Sequence, residues 1–169
     1  MNNKYEFVAG DEKVITPGRT VKRIRALAAI AVFGVMPGQL GGYVESEKCL
    51  AADGDAWVSG DARVSGDARV YGDAWVSGDA LVYGDARVSG NAWVSGDASL
   101  VWFSKVGRDN GTLTVFTGND GELLATRGCF IGTIDEFLKK SEEVHDDRTH
   151  LEYRLLIEVA HSRLTRSAT

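Results

Sequence analysis

The chain has 169 residues, enough for one compact domain or a small solenoid with end pieces. Its formal charge of −5 excludes a chain-wide basic footprint for DNA or RNA polymers, and 44% hydrophobic with 25% charged residues excludes a disordered chain. Twenty glycines beside two prolines exclude collagen and indicate a chain rich in turns.

Residues 1–39 read as three short strands, 5–8, 14–16 and 20–25, separated by turn signals at Gly10-Asp11 and Pro17-Gly18. The apolar run 26–36 follows Lys22, Arg23 and Arg25. It begins too deep in the chain for a signal peptide and falls well short of the ~20 residues that span a bilayer. It is expected to be buried structure, with no membrane role. Cys49 and Cys129 sit in no CxxC or Cys/His metal pattern and are expected to be reduced core thiols in a cytoplasmic protein.

From Gly54 the chain repeats. Glycine recurs at 54, 60, 66, 72, 78, 84, 90 and 96, a strict period of six. Six fits neither the α-helix nor the heptad. Within each unit an Ala at the third position and a Val at the fifth lie two apart, on one face of a short strand. Gly-Asp then supplies a turn that needs a positive φ. Strand and tight turn in strict repetition define a parallel β-solenoid. The turn carboxylates Asp55, Asp61, Asp67, Asp73, Asp79, Asp85 and Asp97, with Asn91 in the remaining slot, are expected to cap their own turns through backbone N–H groups. A calcium-binding solenoid repeat is nine residues long and richer in glycine, so calcium is not expected.

The unit Val58-Ser59-Gly60-Asp61-Ala62-Arg63 and its successors resemble the hexapeptide-repeat, left-handed β-helix family. That resemblance implies three hexads per triangular coil of 18 residues. Extended upstream, the six-residue register places Leu40 and Ala52 on the valine track and Val44 and Leu50 on the alanine track, so the solenoid would span 40–103 with a polar lapse at Ser46. An 18-residue coil sorts the outward residues into columns. Trp57, Trp75 and Trp93 share one face; Arg63 and Leu81, with Tyr83, share a second; Arg69 and Arg87, with Tyr71, share a third. An exposed column of indoles marks a contact surface, either a subunit or tail interface or a stacking platform for planar ligands.

Residues 104–169 lose the period. Strands at 112–117 and 123–127 flank a Gly118-Asn119-Asp120-Gly121 hairpin signal. Thr133-Ile134-Asp135-Glu136 is a capping box that opens a helix. A second helix is expected over 148–166, with Leu151, Leu155 and Val159 on one apolar edge and Ile157, Ala160 and Leu164 on another, packed on both sides.

The order of segments, with Tyr5–Phe7, Arg23–Leu27, Leu40–Glu47 and Gly128–Phe137 as the matching words, resembles small hexapeptide-repeat proteins of bacteriophage and prophage genomes. The wider family's resemblance implies a homotrimer, and its enzymes are acyltransferases that use a histidine base on a coil. Here His145, His150 and His161 all lie beyond the repeats, and no P-loop, GxGxxG, HExxH or GxSxG is present. The expectation is therefore a non-enzymatic, cofactor-free trimeric binding protein. As a phage accessory protein it would sequester a host factor, either a nucleotide signal or a protein of host defence. Trp57, Trp75, Trp93, Arg63, Arg69, Arg87, Tyr71 and Tyr83 are the candidate ligand or interface residues. An acyltransferase-like enzyme and a structural assembly protein are the alternatives.

Overall fold

The computed structural model describes residues 2–96 and 99–165. It begins with an antiparallel pair, β1 (Tyr5–Thr16) and β2 (Arg19–Ala26), followed by β3 (Leu40–Val44). The turn expected at Gly10-Asp11 is instead an irregularity within β1, where the register with β2 shifts between Phe7 and Glu12 and Gly10 takes φ +80°. The pair resumes beyond it because Pro17-Gly18 forms the reversing turn.

Seven short strands follow at six-residue intervals: β4 (Trp57–Val58), β5 (Arg63–Val64), β6 (Arg69–Val70), β7 (Trp75–Ser77), β8 (Leu81–Val82), β9 (Arg87–Val88) and β10 (Trp93–Ser95). Successive strands enter different sheets, and β4, β5, β6 and β7 each pair in parallel with the strand three hexads on. Trp57 lies opposite Trp75 and Trp75 opposite Trp93; Arg63 opposite Leu81; Arg69 opposite Arg87. Every repeat valine from Val58 to Val94 and every repeat alanine from Ala56 to Ala92 is buried. The period-two face predicted from sequence is thus the core. Repeat glycines turn the corners with φ between +64° and +74° from Gly60 to Gly90. Close stacking demands the same residue: a Cβ on Gly72 would sit 3.0 Å from the Gly90 nitrogen of the next coil.

The corner aspartates do not act as expected. Their backbone N–H groups serve the next coil, as Asp61 does to Gly78 O and Asp73 to Gly90 O. Among the described residues no repeat carboxylate accepts a turn amide. Asp61 instead meets Lys13 Nζ at 2.7 Å, and Asp85 accepts from the Ser104 hydroxyl. Asp97 lies outside the described residues.

The register upstream of the repeats also differs from the expectation. Val44 pairs with Val64 and Leu50 with Val70, twenty residues on. Val44 and Leu50 therefore occupy the valine track, not the alanine track. The two extra residues fall in the corner between Leu50 and Ala56. There Lys4, 7% exposed, reaches the Gly54 carbonyl, and the Tyr5 hydroxyl donates to Leu50 O. Gly41 and Gly42 let β3 pass close over the first coil, since a Cβ on Gly41 would sit 2.7 Å from Val58 O.

Beyond the coils, β11 (Leu100–Val106), β12 (Gly111–Thr117), β13 (Leu123–Arg127) and β14 (Phe130–Thr133) form an antiparallel sheet. Helices α1 (Ile134–Val144) and α2 (Asp147–Leu164) pack on it through Phe137, Tyr153, Ile157, Ala160 and Leu164, making a second core. The capping box is formed in full: Glu136 N–H donates to the Thr133 hydroxyl and Thr133 N–H to the Glu136 carboxylate. Only one of the two apolar edges of α2 is covered, because the sheet lies on one side; Leu151, Leu155 and Val159 are exposed. Arg166, the expected end of this helix, lies outside the described residues. Cys49 is buried as expected, but Cys129 is exposed at the turn before β14.

Candidate functional site: a basic groove on the third face

Strands β6 and β9 bury Val70 and Val88 and, by strand alternation, turn Arg69 and Arg87 outward. The two arginines are directly paired in the parallel ladder. Their backbones are fixed on all sides: Arg69 N–H donates to Ala86 O and Tyr71 N–H to Val88 O. At the far edge the Thr114 hydroxyl accepts from Arg87 N–H and the Thr126 hydroxyl donates to Arg87 O. Two threonines of the C-terminal sheet thereby satisfy an edge strand that would otherwise be open.

Outside this backbone lies a groove of about 350 Å³ lined by Lys48, Ala51, Arg69, Val70, Tyr71 and Arg87. Arg69, Arg87 and Lys48 are exposed, and none has an ion-pair partner among the described residues. Other cations are spent on structure: Lys13 on Asp61, Arg19 on Glu45, Arg23 on Asp11 and Arg25 on Glu6. Strand spacing puts the two guanidinium stems ~4.8 Å apart. Three cations and a half-buried phenol surround one groove, a chemistry of guanidinium forks, an ammonium and an aromatic ring suited to a compact anion with a planar part.

The other expected site residues lie elsewhere. The indole column is not an exposed platform. Trp57 is fully buried, enclosed in one core with Tyr5, Ile24, Ala26, Ile30 and Val35 of the N-terminal segment. Phe33 packs 4.7 Å from the Trp75 ring, and only Trp93, 43% exposed, keeps a substantial open surface. The cause is the apolar run 26–36, which folds back as a flap over the tryptophan face. Arg63 is half-buried on the second face with its Nε enclosed and without a partner among the described residues. Tyr83 stands edge-on to Trp102 at 4.6 Å. Of the eight candidates, the structure brings Arg69, Tyr71 and Arg87 together.

Lys48 was not identified from sequence. The two-residue corner insertion had displaced its register; the signal was its being the single lysine between Lys22 and Lys105. The histidines lie far along the chain on the helical end: His145 faces the Tyr153 ring, and His150 Nδ1 is 3.3 Å from the Ser141 hydroxyl. Among the described residues no helix is long and apolar enough to cross a membrane.

A family model described as YdcK Beta solenoid repeat matches residues 56–72, 62–78 and 80–96. These windows cover β4 to β10 and the groove arginines, so the repeats are β-solenoid repeats. No curated protein matches the chain.

Proposed function

We propose that this protein is a non-enzymatic binding module that holds a small phosphate-bearing ligand, a nucleotide, in the groove of Lys48, Arg69, Tyr71 and Arg87. One observation carries the reading: two arginines paired in register on neighbouring strands, exposed and without a carboxylate partner among the described residues, beside an aromatic ring. Paired guanidinium forks suit phosphate oxygens, and a phenol ring offers a base a stacking surface. A net charge of −5 disfavours long polyanions but leaves local capture of a small one intact.

The finer reading is a left-handed, closed hexapeptide-type coil. Its support is the six-residue unit and the ladder partner three hexads away. Within it the protein works as a homotrimer in the bacterial cytoplasm. There it acts as a phage accessory protein that removes a nucleotide signal of host defence.

Native mass spectrometry of freshly purified protein, followed by titration with mononucleotides and cyclic dinucleotides, tests the function. A co-purified nucleotide or micromolar binding supports it. Binding of none of these, with retained binding to a host protein, replaces it with a protein-partner role.

A further inference from the structure

The segment from Ala26 to Tyr43 carries no charged residue. Its inner side is used: Ile30 and Val35 are buried, bridged to each other, and Phe33 lies against Trp75 and Trp93. Its outer side is not. Leu27 is 45% exposed, Val32 62%, Met36 64% and Leu40 51%, with Ala28, Ala29 and Ala31 also open to solvent. Phe33 links this flap to the Trp93 indole, itself 43% exposed.

We infer that the outer side of this flap, together with Trp93, is the surface through which copies of this chain associate. Three arguments select a second copy as the occupant. The five large side chains offer roughly 500 Å² of apolar area, and the intervening alanines bring this towards the ~800 Å² per partner of a standard interface. The patch is free of charge on a chain of net −5, so two copies meet here without repulsion, while a charged partner finds no complement. The patch is also continuous with Trp93 at the open end of the indole ladder, which gives it an aromatic anchor. The exposed stripe of α2 lacks this character, since Glu152, Arg154 and Glu158 interrupt Leu151, Leu155 and Val159.

The experiment is light scattering at micromolar concentration. The wild type is expected at a multiple of 18.2 kDa, and Val32→Asp with Met36→Asp at the single-chain mass with unchanged circular dichroism. Leu151→Glu with Leu155→Glu should leave the assembly intact. Should the flap variant misfold, hydrogen exchange of the wild type across a dilution series reads the same surface: amides of 28–40 lose protection as the assembly dissociates. A monomeric wild type, an assembled and folded flap variant, dissociation by the α2 variant, or exchange independent of concentration would each overturn the inference.

Discussion

Lys4 shows how much a single enclosed side chain sets at the solenoid's first corner. Burial holds its ammonium down to about 8 from an ordinary 10.5, with Asp53 and Asp55 partly opposing the shift. The unfolded chain keeps that proton up to 10.5, so between about 8 and 10.5 it binds more protons than the folded one. Lys4's cost to folding therefore fades as pH rises through this window. Comparing urea midpoints of wild type and Lys4→Met at pH 7.5 and 9.5 should show the gap moving in the wild type's favour. A gap that stays constant would contradict the assignment. Tyr5, which burial raises to about 12, acts the opposite way only above pH 10. In the core, Val76 is fully buried mid-solenoid, and Val76→Asp places an unpaired charge there. The expected cost is several kcal/mol, read as a lost or strongly lowered denaturation midpoint. The valine and alanine tracks were legible because a strict period leaves one assignment for every residue. Trp57 was not, because its cover comes from a segment more than twenty residues earlier in the chain.

At the scale of elements, local rules were the readable ones. The Gly118–Gly121 hairpin pairs Thr117 with Leu123, and the capping box opens α1 at Ile134, since both signals are carried by adjacent residues. Thr133→Ala removes the cap hydroxyl and should cost about 1 kcal/mol, seen in the midpoint of urea denaturation. Elements that depend on distant partners were less legible. The first coil's register slipped because a two-residue insertion in a loose corner leaves the apolar pattern unbroken; only the Val44–Val64 and Leu50–Val70 pairings reveal it. The same slip hid Lys48. For α2, two apolar edges predicted two packed sides, but the sheet offers one face, and amphipathic pattern alone carries no count of neighbours.

At the scale of the molecule, the coils hold side chains in columns while the two ends close the open edges. The N-terminal pair extends the second sheet through β3, and the C-terminal sheet meets β9 through Thr114 and Thr126. This division explains the position of the groove. Cations near the N-terminal end are consumed in fastening it, whereas the arginines of the third face have no ion-pair partner among the described residues. The flap then moves the exposed apolar surface from the indoles to its own outer side. Both features are absent from any single hexad and follow from stacking. Calorimetric titration of nucleotides, cyclic dinucleotides included, into the wild type and into Arg69→Ala with Arg87→Ala tests the central claim most directly. The account predicts micromolar or tighter binding to the wild type, weakened by salt. It also predicts loss of binding in the double variant, with unchanged mass and melting temperature. Equal binding by both proteins, or no heat from any nucleotide with the wild type, would contradict it.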